Sequence, residues 1–368
     1  MLYCISMSAH SHKIPGRNRV LDGLRGYAAL MVAVGHSFIT IKNSSLVDEF
    51  IYTLVNGGVA VSIFFLLSGF VLGESLARDT TASFFLKSIK FYIKRLFRIY
   101  PVFLLQILLL SLFLIKWPYQ HFPAASAWSE YWFNFPITFK EVLSNLIFRS
   151  TSLGGVTWTL KAEIIGSFFL PLFYIISSRT HKYVDLCIIA LLILLSPIFH
   201  VSREVSFLYV FYAGLTLPKW KGQFENIRLK GIWLALATFG LFATAITISS
   251  LSIDVDFPFV RHIPLVLFLG LLVYKPAAYV SDVLLSKAFQ FLGRISYSFY
   301  LFHFLVLYIT IRLLFNVVDN NFLQHYFFHF ELLIALGTIA LAAGVSYFSY
   351  RFVEQPFIAL GRKVVGRL

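Results

Sequence analysis

Charge is what this 368-residue chain has least of: Asp, Glu, Lys and Arg make up 13% of it, and only 17 residues are acidic. A water-soluble domain needs a surface of which roughly a quarter to a third is charged, so a soluble globular fold is excluded. Cysteine is nearly absent, and Cys4 and Cys187 are too few and too badly placed for a disulfide framework. There is no P-loop, no G-x-S-x-G and no G-x-G-x-x-G, which removes the usual phosphate-cradling loops and the serine-hydrolase elbow. Residues 1–19 (MLYCISMSAHSHKIPGRNR) lack the apolar core and small-residue cleavage site of a secretory signal. No internal repeat or low-complexity tract stands out.

What is there is apolar. Hydrophobic residues make up 58% of the chain, with a mean hydropathy of +0.78. Apolar runs of roughly 20 residues, the length that crosses about 30 Å of hydrocarbon, recur along it. Breaks at charge, Pro and Asn clusters predict ten helices near 20–40, 56–76, 98–115, 156–176, 184–199, 205–217, 231–250, 262–280, 295–315 and 331–352. The expected fold is all-α, a polytopic membrane bundle of about ten transmembrane helices. A cytoplasmic segment (1–19) precedes the membrane domain (20–355), and a basic tail (356–368) follows it. The Pro-broken aromatic stretch 117–150 reads as an interfacial loop.

The net charge of +14 follows the topology. With both termini in the cytoplasm, 22 of the 31 Lys and Arg residues fall on inner segments, as the positive-inside rule demands. No basic run is interleaved with solvent-facing aromatics in a soluble domain, which argues against nucleic acid as a partner and leaves the lipid bilayer as the expected one.

Several polar residues lie inside the predicted spans. In LDGLRGYAALMVAVGH (21–36), Arg25 and His36 are eleven residues apart. Three helical turns bring them to within about 20° of one face, with about 16 Å of rise, and Asp22 lies a turn below Arg25. Arg25 snorkelling to the inner surface, with His36 bonding another helix, is the plain reading. The functional one is a neutral general base beside an anion-binding cation. Ser68 in FFLLSGF (64–70) marks close helix packing more readily than a nucleophile.

Lys87, Lys90, Lys94, Arg95 and Arg98 in KSIKFYIKRLFRIYP (87–101) line an amphipathic stretch that suits lipid headgroups or the phosphates of a donor. Pro101 is expected in the first turn of the span that follows. In WTLKAEIIGSFFLP (158–171), Lys161 and Glu163 form an ion pair or line a wet cavity, with Glu163 available to steady an imidazolium on the first helix. His303 is placed to bond another helix. His325 and His329 have metal-pair spacing without an acidic or cysteine ligand, and are expected in a loop with no metal.

Taken together, these motifs resemble the acyltransferase-3 family of membrane O-acyltransferases over most of the chain. The resemblance rests on Arg25 with His36, on Phe64, Phe65, Ser68, Gly69 and Phe70, and on Arg95 with Arg98. It also rests on Trp158, Thr159, Leu160 and Glu163, on LGRISYSFYLFH and on RFVEQPF. Thr159 stands where the family usually has Ser, and Ile164 where a second Glu is frequent. No extracytoplasmic hydrolase-like domain is expected in the sequence.

The resemblance implies transfer of an acyl group, acetyl foremost, from cytoplasmic acyl-CoA to a hydroxyl of a cell-surface or secreted glycan or its lipid-linked precursor. The implied setting is the inner (plasma) membrane, with separate glycan-assembly proteins as further partners. His36, Arg25 and Glu163 are then catalytic, and Lys94, Arg95 and Arg98 hold acetyl-CoA. Lys161, Trp158, Asp22 and Ser68 face the acceptor. His36 either removes the acceptor's proton or carries the acyl group in transit. A transporter or flippase for a small anion or lipid-linked sugar is the alternative from a different class, and a non-catalytic assembly partner is the third.

Overall fold

The computed structural model describes residues 18–42, 46–118, 120–133, 137–196, 204–251 and 259–368. Their regular structure is helical, with an isolated bridge between Ile41 and Ala125 as the one strand-like pairing among them. The main helices are α1 (Arg19–Ser37), α2 (Gly57–Arg78), α3 (Phe84–Lys116), α4 (Thr157–Arg179), α5 (Lys182–Leu195), α6 (Leu208–Thr216), α7 (Gly231–Ser250), α8 (His262–Tyr274), α9 (Lys287–Val317), α10 (Phe327–Ser349) and α11 (Gln355–Val365). Side-chain caps start several of them. The Asn18 side chain accepts from the amides of Val20 and Leu21, and Asn56 accepts from Val59.

Helix is present at all ten expected places. Six stretches are long and apolar enough to cross a membrane: Phe50–Arg78, Phe84–Lys116, Thr157–Arg179, Gly231–Ser250, Lys287–Val317 and Phe327–Val365. A seventh is added if α8 and Ala278–Leu285, bent by 85° at their junction, count as one span. Of the other three, α1 carries Arg19, Asp22 and Arg25, while α5 and α6 have 14 and 9 residues.

Three local expectations are corrected. Pro101 does not open a span but lies inside the unbroken 33-residue α3. That helix is about 50 Å long, more than the hydrocarbon needs, so the basic stretch and the apolar span form one rod. Packing outweighs the lost amide: α11 lies along α3, with Gly361 directly against Phe97, and the Tyr297 hydroxyl donates to the Ile99 carbonyl at 2.6 Å. The stretch 117–150 holds two short helices, Ala127–Phe133 and Phe139–Leu146, the second capped by Thr138. His325 and His329 are helical as well, because Asp319 caps Asn320–His325 and α10 begins at Phe327.

Two glycine crossings set the bundle. A Cβ on Gly26 would collide with the Gly293 amide and the Phe289 carbonyl, and one on Gly293 with the Asp22 carbonyl, so α1 and α9 touch backbone to backbone. Gly69 meets the Phe211 carbonyl and Gly214 the Leu66 carbonyl, joining α2 to α6 in the same way. The small residue of the FFLLSGF motif is thus a packing device.

Candidate active site

A cavity of about 550 Å³ opens between α1, α2, α3, α4, α9 and α11. Val61, Phe64, Phe65, Phe91, Ile99 and Leu160 give it apolar walls. Its cations are Arg25, Lys94, Arg95, Arg98 and Arg362, against Glu163 as the one carboxylate among the lining residues. Helical spacing produces this concentration, since Lys94, Arg95 and Arg98 share one face of α3 at i, i+1 and i+4.

Those cations are in two different states. Arg95 is buried, donating from Nη2 to Glu163 Oε1 at 2.6 Å and from Nε to Ser167 at 3.1 Å. Ser68 donates to the same Glu163 oxygen at 3.3 Å. Arg25 is half-buried and donates to Asp22 at 3.1 Å, one turn back. Lys94, Arg98 and Arg362 are exposed, and no carboxylate among the described residues lies within ion-pair distance of them. A second cavity of about 440 Å³ shares Arg25, Val71, Arg98, Ile358 and Arg362 with the first. Arg78, Arg294, Asp22, Glu74 and Glu354 join them there. Glu354 ends a π-helical turn, Tyr350–Glu354, and accepts from Ser298 at 2.8 Å.

The other end of α1 is built differently. His36 lines neither cavity. It is half-buried, with Nδ1 3.1 Å from Nε2 of His303 on α9 and its ring 5.1 Å from Trp128. His303 is fully buried, and its Nδ1 lies 3.3 Å from the Phe299 carbonyl. Tyr300 stands between the two regions: it lines the cavity, its hydroxyl is 2.8 Å from Thr159, and its ring is 5.8 Å from His303. Thr159 already donates to the Val156 carbonyl, so the Tyr300 hydroxyl donates to Thr159. The Thr159 hydroxyl therefore both donates and accepts within the protein.

Outside the spans, Glu141 on Phe139–Leu146 accepts hydrogen bonds from Ser152, from Ser150 at 2.9 Å and from Asn145 at 3.1 Å. These bonds, the one from Ser152 first, hold its carboxyl below the usual carboxylate range. They pin the segment leading to Gly155, which packs against Phe304 and Trp132 beside the histidines.

The structure thus gathers Arg25, Ser68, Lys94, Arg95, Arg98 and Glu163 around one cavity and puts Asp22 in the adjoining one. Lys161 and Trp158 line neither: Lys161 is 3.5 Å from Glu204, and Trp158 packs toward Phe207. Glu163 reaches Arg95, neither Lys161 nor His36. Of the residues expected to hold the donor, Arg95 is already occupied by Glu163 and Ser167, whereas Lys94 and Arg98 are exposed. His303, Tyr300 and Arg362 are the additions. Tyr300 and His303 both lie in the LGRISYSFYLFH segment of the resemblance, and His303 also stands out as an ionisable residue inside a span.

Comparison with known proteins agrees with this picture of a membrane enzyme. The family model described as an acyltransferase domain (Acyl_transf_3) matches residues 18–351. Nodulation protein 10 of Rhizobium leguminosarum bv. viciae is 23% identical over 392 residues, covering 98% of both chains. Acyltransferase MdmB of Streptomyces mycarofaciens is 30% identical over 161 residues, 42% of this chain and 38% of that protein. No solved structure matches.

Proposed function

We propose, because this chain belongs to the acyltransferase-3 family, that it transfers an acyl group, acetyl foremost, from acyl-CoA to a hydroxyl of a glycan or its lipid-linked precursor at the inner membrane. The observation that carries this reading is the pairing, along one helix, of a cation-rich cavity at Arg25 with a histidine pair at His36. Lys94, Arg98 and Arg362, which have no carboxylate within ion-pair distance among the described residues, suit the donor's phosphates, which bring their own negative charge. The two adjoining cavities offer room for the nucleotide end and its arm. Arg95 and Glu163 neutralise each other and shape the wall. The pantetheine arm extends past Tyr300 and Thr159 toward His36, about 16 Å along α1 from Arg25.

In the direct route, the acceptor's O–H gives its proton to His36 and the oxygen attacks the thioester carbonyl. The C–S bond then breaks, and the CoA thiolate leaves and is protonated. Acyl transfer through His36 uses the same nitrogen lone pair.

The test is release of CoA thiol from acetyl-CoA by purified protein in lipid nanodiscs. It is paired with mass spectrometry of glycans from cells with and without the gene. Wild type releases thiol and adds acetyl to glycan, whereas His36→Ala loses about 10²- to 10⁴-fold in rate while expressing normally. Full transfer by that variant overturns the proposal. Uptake of a small anion without thiol release would make the chain a transporter.

A further inference from the structure

The contact between His36 and His303 carries more information than proximity. A backbone carbonyl only accepts, so the 3.3 Å approach of His303 Nδ1 to the Phe299 carbonyl places the His303 proton on Nδ1. A neutral imidazole has a single N–H, which leaves Nε2 of His303 as a lone pair. At 3.1 Å that lone pair accepts only if His36 Nδ1 donates. Among the described residues the rings around the pair are those of Trp128, Phe299, Tyr300 and Phe304, and none of these supplies the negative charge that an imidazolium would need. With its proton on Nδ1, His36 has a bare Nε2, which makes no hydrogen bond with any described residue.

We infer that His303 is a positioning residue that fixes His36 as the Nδ1–H tautomer and makes Nε2 the reacting nitrogen. The inference deepens the proposed function and rests on His36 as the group that takes the acceptor's proton or the acyl group. When Nε2 takes the proton from the acceptor hydroxyl, the Nδ1–H bond stays directed at the His303 lone pair. The charge that develops on His36 is then met by an oriented dipole. A carboxylate in that place would do the same job, at the cost of a permanent charge among aromatic rings. The chain runs from the Phe299 carbonyl through two imidazoles, with backbone and rings holding every member. Full burial of His303 keeps water from competing for its Nε2.

The first test does not depend on turnover. Ring-¹⁵N-histidine NMR of the full chain in detergent micelles, with His36→Gln used to assign the signals, is expected to show His36 protonated on Nδ1 and bare on Nε2. A proton on Nε2 overturns the inference. In His303→Phe, His36 should change to the Nε2–H form, and an unchanged tautomer overturns it too.

The second test is transfer from radiolabelled acetyl-CoA to the membrane fraction of the source cells. His303→Phe should lower kcat about a hundredfold and leave the KM for acetyl-CoA within about twofold. His303→Gln, whose Oε1 falls near the position of Nε2, should recover to within about tenfold of wild type. Wild-type kcat in the Phe variant, or a Gln variant no better than Phe, reduces His303 to packing and overturns the inference. If wild type itself transfers nothing, the proposed function fails, and the tautomer measurement still decides the role of His303.

Discussion

The two ends of α1 solve opposite problems. Around Arg25 the walls carry several positive charges, three of them exposed and with no carboxylate in ion-pair distance among the described residues. Around His36 the neighbours among the described residues are aromatic rings and a second imidazole. Charge inside a membrane protein is costly unless it is paired or wetted. Arg95 satisfies that condition permanently through Glu163, and Lys94 and Arg98 satisfy it through solvent until an anion arrives. A nucleophilic or basic nitrogen has the reverse need, a lone pair with no nearby cation to compete for it. One helix serves both because three turns separate the two environments.

This division has consequences that measurement can break. The largest is in binding. Replacing Lys94 and Arg98 together by Ala should weaken acetyl-CoA binding about a hundredfold, as loss of two charged hydrogen-bond donors implies. By titration calorimetry, His36→Ala should bind as wild type does. If the His36 variant loses affinity to the same extent, the two ends are one site.

Next in size is stability. Arg95→Ala strands Glu163 in the wall and should cost about 2 kcal/mol of unfolding free energy. That is less than for a dry buried pair, because the Glu163 side chain keeps 25% of its surface exposed. Adding Glu163→Gln should return part of the loss, and a detergent melt in which the double variant is no better than the single denies the pairing.

The smallest effect concerns the cover over the histidine end. The Glu141 carboxyl is held below its ordinary value, so its contribution is complete above about pH 4.5, the unfolded carboxylate range, and fades as pH falls through the lower folded value. Limited proteolysis across 150–153 should therefore speed up in acid for wild type and show no such dependence for Glu141→Gln.

Much of this arrangement is legible in the sequence. Period and charge alone put Arg25 and His36 on one face of one helix, and α1 does carry both. Lys94, Arg95 and Arg98 were equally plain as a helical cluster. What helix arithmetic does not reach is the identity of partners across the bundle. Lys161 and Glu163 look paired on paper, yet two residues apart on a helix they point about 200° from one another, one to Glu204 and the other to Arg95. Arg95 and Glu163 lie 68 residues apart in sequence, and nothing local announces their bond. Pro101 misleads for a related reason: the local rule favours a helix start, and contacts with α11 and Tyr297 keep α3 whole. His303 was visible as an oddity but not as a partner, since its role depends on which face of α9 meets α1.

That meeting has one more consequence. Gly23, Gly26 and Gly293 let α1 lie flush against its neighbours, so Arg25, His36 and His303 ride on a single stiff body. The spacing between anchor and chemistry is then a fixed gauge, and on the proposed reading all the slack belongs to the donor's own flexible arm. Anchoring the anionic end prepays the entropy of bringing the thioester to the nitrogen. A clipped thioester without that end would have to find His36 by diffusion alone, and the gauge would give it no help.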